Sequence, residues 1–450
     1  MAASPARIAA YDILLRVERE RAYADELLHS ALLNSLSAAD RGLCTEIVMG
    51  VLRWRARLDF AIEKLASRAV ERLDLEILIV LRMGLYQIGW LERVPARAAV
   101  NESVELVKRA RKRSAVAFAN AVLRKATPGS LEVPPAHDDA SLALEWSHPE
   151  WLVERWVRDY GFDVARGICE FDQQVPETVV RVPDDAAERE LIESGVGLTN
   201  GRIVSRAYIV QRGDVVKTLV FNEGRVHFQD EGSQLAALLV GRGRRMLDCC
   251  AAPGGKTIVM AERNPEAEIM AAELHEHRAR SLRERVRAKN VFVVTADVRD
   301  LPLSGDYDRV LADVSCSGTG TLARNPEIKW KLQTSDLTEL HSKQVDILRA
   351  ALRQLEAGGR CVYSTCSLER EECESVVEEV MRDSHGYRVV PVEAELAALR
   401  HEGVIAGDFR TLMRGDYLRT IPGVHQCDGF FAALIERCSR VSSTPVEQHS

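Results

Sequence analysis

At 450 residues, 46% of them apolar and 28% charged, the chain is long enough for about three domains and too rich in core-forming residues to stay disordered. A formal net charge of −7 excludes a protein that coats nucleic acid indiscriminately. The longest apolar run, Ile77 to Leu91, is broken by Arg82 and falls short of the roughly 20 residues a membrane helix needs. With no secretory apolar region at the N-terminus, a cytoplasmic protein with no membrane partner is expected.

Residues 5 to 35 place Ile8, Tyr11, Leu14, Leu15, Leu27 and Leu28 at spacings of three, four and seven, the mark of amphipathic helix. Runs at 43–66, 73–91 and 98–123 repeat it, so the N-terminal part is expected to be all-α. This part is also the basic one. Lys and Arg exceed Asp and Glu by six over residues 1–130 and fall short by 13 over the remainder. Its densest patch joins Lys108, Arg109, Arg111, Lys112 and Arg113. Such a run either neutralises RNA phosphates or merely solvates a helix face.

From Ala126 to about residue 140 the text turns to Pro, small residues and acids, the composition of a linker. A helix is expected from His148, with Pro149 in its first turn and Gly161 ending it. Short strands are expected at Thr178–Val182, Ile203–Ile209 and Val215–Phe221, making the middle part a small α/β unit.

From Arg245 strands and helices alternate, as in a doubly wound parallel sheet. Strands are expected at Met246–Cys249, Glu268–Leu274, Val291–Thr295, Arg309–Ala312 and Arg360–Ser364. Helices are expected at Lys256–Arg263, Glu276–Lys289 and about 336–355. The first turn, Leu247 to Thr257, reads LDCCAAPGGKT. Its small residues and paired glycines allow a ligand to approach the backbone at a helix N-terminus. A phosphate-binding P-loop would need glycine at position 250, where Cys250 stands. Glu273 closes the second strand, where cofactor folds of this type place an acid on ribose hydroxyls. Asp297 and Asp313 follow the third and fourth.

The ten cysteines are expected to be reduced, and none are spaced as CxxC, which leaves no basis for a structural metal. Cys249, Cys250 and Cys361 read as packing or loop structure. Cys316 and Cys366 differ: each lies in a turn of Ser, Thr and Gly after an apolar strand, at the end of the sheet where ligands bind. Polar neighbours there can activate a thiol.

The stretches DCCAAPGGKT, DVSCSGTGTLARNPEIKW and YSTCSLEREE closely resemble the motifs of RNA cytosine-5 methyltransferases, specifically the bacterial Sun/Fmu family acting on small-subunit ribosomal RNA. The resemblance extends over nearly the whole chain. ALLN, LDLEILIVLRMGLYQ, RAAVNESVELVK and FANAVLRK resemble that family's NusB-like helical domain. HPEWLVERW and FQDEGSQ resemble its middle domain, and CDGFFAALIER its closing hairpin strand. The implied division is a NusB-like RNA-binding domain at 1–128, a small α/β domain at 140–235 and a Rossmann-like methyltransferase domain at 236–438.

The resemblance implies S-adenosylmethionine as cofactor, held by Cys250, Ala251, Ala252, Pro253, Gly254, Gly255 and Lys256. Glu273 would meet its ribose, Asp297 would lie near its adenine and Asp313 would face the reaction centre. It implies Cys366 as the nucleophile that adds to carbon 6 of a cytosine, and Cys316 as the residue of the release step. The implied partner is ribosomal RNA, free or in an assembling small subunit, and the implied state a monomer. Arg181 and Arg324 become further RNA-contact candidates. One departure stands out: the family usually has proline before the release cysteine, where this chain has Ser315.

Overall fold

The computed structural model describes residues 3–301 and 306–439. The chain divides into two units, one running to Val175 and taking in Thr321–Leu332, the other comprising 176–320 and 333 onward.

The first unit is helical. Its main helices are Pro5–Glu20, Ala38–Arg53, Arg55–Ala66, Leu75–Trp90, Ala96–Arg109 and Val116–Lys125, followed by Asp139–Glu145, Glu150–Tyr160 and Phe162–Asp172. Leu75–Trp90 is buried at every position from Ile77 to Gln87, as befits a helix apolar on all sides. The charge that interrupts this run is neutralised: Arg82 is forked onto Asp59 at 2.6 and 2.7 Å and reaches Glu18 at 3.0 Å. The expected linker crosses this unit as a short 3-10 turn, Pro128–Leu131, and extended chain. Pro149 stands as the N-cap of its helix, one position earlier than expected, and Gly161 ends it at φ +85°.

The second unit holds two sheets. The smaller is antiparallel, built from β1 (Val179–Arg181), β2 (Gly197–Asn200), β3 (Ala207–Arg212) and β4 (His227–Phe228) in the order β2-β3-β1-β4. Two strand expectations change here. Val215–Phe221 forms a 3-10 turn and a short helix, Leu219–Asn222, with Val215 and Val220 buried while Val216 and Leu219 face out. Ile203 and Val204 precede β3 rather than begin it, because the buried Glu231 carboxylate accepts the amides of Arg202, Ile203 and Val204.

The larger sheet is mixed. It contains β5 (Arg245–Asp248), β6 (Glu268–Glu273), β7 (Val291–Thr295), β8 (Tyr307–Asp313), β9 (Leu355–Thr365), β10 (Tyr387–Val390), β11 (Met413–Arg414), β12 (Tyr417–Thr420) and β13 (Phe430–Arg437). Strands β7-β6-β5-β8-β9 run parallel in that order. The sheet is therefore not wholly parallel as a doubly wound sheet would be: β13 lies antiparallel on β9, and β10 and β12 antiparallel on β13. Order reverses at β5, between β6 and β8, and a ligand crevice opens at the carboxyl ends of strands beside such a switch point. Alternating apolar residues of these strands feed cores on the two faces.

Candidate active site

The switch point carries the glycine loop. β5 ends at Asp248, and six residues separate it from the helix Gly255–Arg263. Gly254 adopts φ +106°, and a Cβ on it would come 2.8 Å from Leu282, so only glycine fits the close approach of loop to helix. The amide of Ala251 donates to the carbonyl of Ala272 at 2.9 Å. Arg278 donates to the carbonyl of Ala252 at 3.1 Å and lies 3.6 Å from Glu273. The Ala252–Pro253 peptide is cis. At the end of β5 Asp248 is buried, accepts the Thr257 hydroxyl at 2.7 Å, and has its carboxyl pushed up to about 7 by that burial.

The acids at the strand ends lie as the sequence suggests. Glu273 is buried at the end of β6 and accepts the amide of His275 at 3.0 Å. Asp297, after β7, is forked by Arg299, whose hydrogen bonds hold its carboxyl below the usual range. Asp313 ends β8, accepts the Ser364 hydroxyl at 2.7 Å and pairs with Lys256 at 2.8 Å. Burial works against the Lys256 ammonium, but Asp313 outweighs it and raises its pKa, while the Phe430 ring lies 4.9 Å away. A glycine loop at the switch point with acids at the neighbouring strand ends fits a nucleoside-bearing cofactor with a cationic centre.

The two cysteine turns converge beside it. Cys316 follows β8, Cys366 follows β9, both are partly exposed, and their sulfurs stand 3.3 Å apart. Val314 donates to the Ser364 carbonyl at 3.0 Å and Gly320 to the Cys366 carbonyl at 2.9 Å, tying the turns together. The hydrogen bond to Cys366, with burial, holds the Cys316 thiol well above the ordinary range. Either sulfur can donate in this contact. Cys249 and Cys361 are buried packing residues, as expected.

The RNA-contact candidates fall into different settings. Arg109 pairs with Asp12 at 3.3 Å and Lys112 with Asp74 at 2.8 Å, whereas Arg111 and Arg113 are exposed. Arg181 is buried, bound to Glu262 at 2.6 Å and to Gln234 at 3.1 Å, which commits its guanidinium to the fold. Arg324 is half-buried in the segment that belongs with the helical unit. Sequence reasoning passed over Asp248, Arg278 and Glu372. Asp248 had a signal, as an acid closing a strand before the loop. Arg278 looked like one charge of a solvated helix.

Comparison with known proteins accords with this geometry. Residues 236–436 match the family model described as 16S rRNA methyltransferase RsmB/F, and residues 4–128 match the NusB family. A Bacillus subtilis protein named "Probable ribosomal RNA small subunit methyltransferase B" is 31% identical, covering 95% of this chain and 98% of that one. The Pseudomonas putida ribosomal RNA small subunit methyltransferase B is 31% identical over 86% of this chain and 92% of its own. In fold, the crystal structure of PH0851 superposes with a TM-score of 0.77 at 22% identity, covering 97% of this chain and all of that one. Sequence likeness over nearly its whole length makes the chain a member of the RsmB/F family of S-adenosylmethionine-dependent small-subunit ribosomal RNA methyltransferases.

Proposed function

We propose that the protein methylates carbon 5 of a cytosine in small-subunit ribosomal RNA through a covalent cysteine–cytosine adduct. The observation that carries this reading is the pair of sulfurs 3.3 Å apart at the ends of adjacent strands, beside the Lys256–Asp313 pair. A methyltransferase acting on oxygen or nitrogen needs no such pair. S-adenosylmethionine, when bound, supplies an electrophilic methyl group. The loop Cys250–Lys256 would hold it, with Glu273 at the ribose and Asp297 on the adenine side.

The chain's own residues do the rest. Cys366 attacks carbon 6 of the cytosine as a thiolate, the ring nitrogen that gains electron density takes a proton from solvent, and the Asp313 carboxylate accepts the hydrogen bond of that N–H, which makes carbon 5 nucleophilic. Once carbon 5 carries its methyl group, its proton must leave before the bond to Cys366 can break. Cys316 is the base for that step. Its thiol, raised by its contact with the Cys366 sulfur and by burial, must first lose its own proton to solvent, and as thiolate it can then receive the proton on carbon 5. The proton goes to Cys316, the electron pair re-forms the ring double bond, and Cys366 departs as thiolate.

The remaining assignments follow from this chemistry. Carbon 6 is shielded in a stacked helix, so the base must be turned out, whether the RNA is free or in an assembling small subunit. One chain carries every group named, so a monomer suffices, acting in the cytoplasm. Residues 1–128 serve as the RNA-binding domain, 140–235 as a small α/β domain and 236–438 as the methyltransferase. Arg109, Arg111, Lys112, Arg113 and Arg324 are proposed phosphate contacts, whereas Arg181 is committed to the fold of the second unit. The test is incubation with labelled S-adenosylmethionine and small-subunit ribosomal RNA. Label is expected as 5-methylcytosine, and label on any other nucleoside position would overturn the reading.

A further inference from the structure

Glu372 is fully buried in a 3-10 turn six residues beyond Cys366, and both of its carboxylate oxygens are turned toward the cysteine turns. Oε1 accepts the amide of Ser317 at 2.8 Å and the side-chain amide of Gln344 at 2.9 Å. Oε2 accepts the hydroxyls of Ser317 and of Ser367, the latter at 2.6 Å. Ser317 and Ser367 are the residues immediately after Cys316 and Cys366, and their hydroxyls lie 3.2 Å apart. Gln344 also donates to the carbonyl of Ser315 at 2.9 Å, so the Cys316 turn is gripped on both sides of the cysteine. A proline at 315 would restrict that turn by its ring. Here the Gln344 bond supplies the restraint that Ser315 cannot.

A buried carboxylate is costly unless its lone pairs are filled, and four donors from three separate segments fill these. The arrangement can hold only while the two turns keep one spacing. We infer that Glu372 is the positioning residue for both thiols, fixing the gap between nucleophile and release base, with Gln344 as its extension to the release side. This rests on the two-cysteine reading above. Neither residue touches the reacting atoms; each acts through the cysteine turns.

Two substitutions separate positioning from mere stability. Glu372→Gln keeps the grip, because its amide oxygen can accept from the Ser317 and Gln344 amides while its amide group donates to two hydroxyls that rotate to accept. Glu372→Ala removes it, and a displacement of about 1 Å at the reacting atoms costs roughly 10²-fold in rate. In single-turnover assays of full-length protein with transcribed small-subunit ribosomal RNA and labelled S-adenosylmethionine, Glu372→Ala should form 5-methylcytosine roughly 10²-fold more slowly. Glu372→Gln should stay within about threefold of wild type, since its bonds are re-formed. Gln344→Leu removes the Ser315 restraint and one of the four donors to Glu372 but leaves Ser317 and Ser367 bound to it, so its effect falls chiefly on the Cys316 side. It should slow release more than addition and accumulate RNA–protein adduct on denaturing gels, an outcome that loss of stability alone does not produce. Wild-type rates in Glu372→Ala, or Gln344→Leu slowing addition and release equally, would overturn the inference. If the alanine variant does not fold, the Gln344→Leu partition decides alone. Wild-type enzyme that makes no 5-methylcytosine would instead sink the cysteine reading itself.

Discussion

The two units bury charge in opposite ways. In the helical unit, Lys329 is 1% exposed, donates to the carbonyl of Arg53 at 3.2 Å and faces His148 at 3.5 Å, while His148 lies 3.3 Å from Asp172. Burial brings Lys329 down to about 7 and, with the Lys329 charge beside it, carries His148 well below its usual range. In the catalytic unit two deeply buried acids, Asp248 and Glu372, are met by hydroxyls and amides. Cation-rich burial locks a segment in place; neutral donors position atoms for chemistry without adding a competing charge. The contrast teaches how each unit responds to protons: the helical unit buries a lysine that sheds its proton, the catalytic unit an acid that keeps one.

The most severe test of the catalytic side removes its thiols. Cys366→Ala should abolish methylation outright with no adduct, while Cys316→Ala should permit addition and trap a complex that survives denaturing electrophoresis. Opposite assignment of the two phenotypes would break the comparison at its centre.

Next in size are the proton-linked effects, whose signs differ between the units. Between about 7 and 10.5 the unfolded chain holds a proton on Lys329 that the folded unit lacks, so stability should rise with pH across that window by up to about 1.4 kcal/mol per pH unit. Asp172 and Cys169 oppose this shift and Arg53 reinforces it. Asp248 is protonated up to about 7 when folded, against 3.8 otherwise. There the folded state holds the extra proton, and stability should fall as pH rises from about 4 to 7. Denaturant unfolding across pH should show Lys329→Met losing the alkaline rise and Asp248→Asn losing the acid-side fall.

A smaller effect is expected at the cofactor site. Glu273→Ala should weaken S-adenosylmethionine by about 1.5–3 kcal/mol, the cost of a hydrogen bond to a charged group, as read by calorimetry. Smallest is the basic patch. Neutralising Arg109, Arg111, Lys112 and Arg113 should flatten the salt dependence of RNA binding and leave cofactor binding unchanged. Since Arg109 and Lys112 already face acids at 3.3 and 2.8 Å, most of the change should come from Arg111 and Arg113.

What could be read from sequence was what lies in one contiguous stretch. The glycine loop, the acids closing β6 and β8 and the two cysteine turns each declare themselves by local spacing, and the structure brings them together. Three features escaped, two because they depend on partners far apart in the chain and one because a local cap outweighs composition. Arg181 looked available until Glu262 closed on it, 81 residues later. Val215–Phe221 has the composition of a strand, yet Thr218 caps a helix there. Glu372 sits within the quoted stretch YSTCSLEREE, but only Ser317 and Gln344, folded onto it from elsewhere, reveal what its carboxylate holds.

The strip Thr321–Leu332 leaves the catalytic unit one residue after Gly320 and folds with the helices. There Lys329 is buried, Trp330 donates to the Leu52 carbonyl at 2.6 Å, and Glu327 accepts the amide of Ala24 at 2.8 Å. The chain therefore cannot be cut into independent modules at any single position. A fragment beginning at residue 236 would carry this strip as an orphan, with a lysine and a tryptophan whose hosts had been deleted. Gene fusion or domain exchange between relatives would have to transplant two non-contiguous pieces together, so the helical and catalytic parts are bound to evolve as one heritable block.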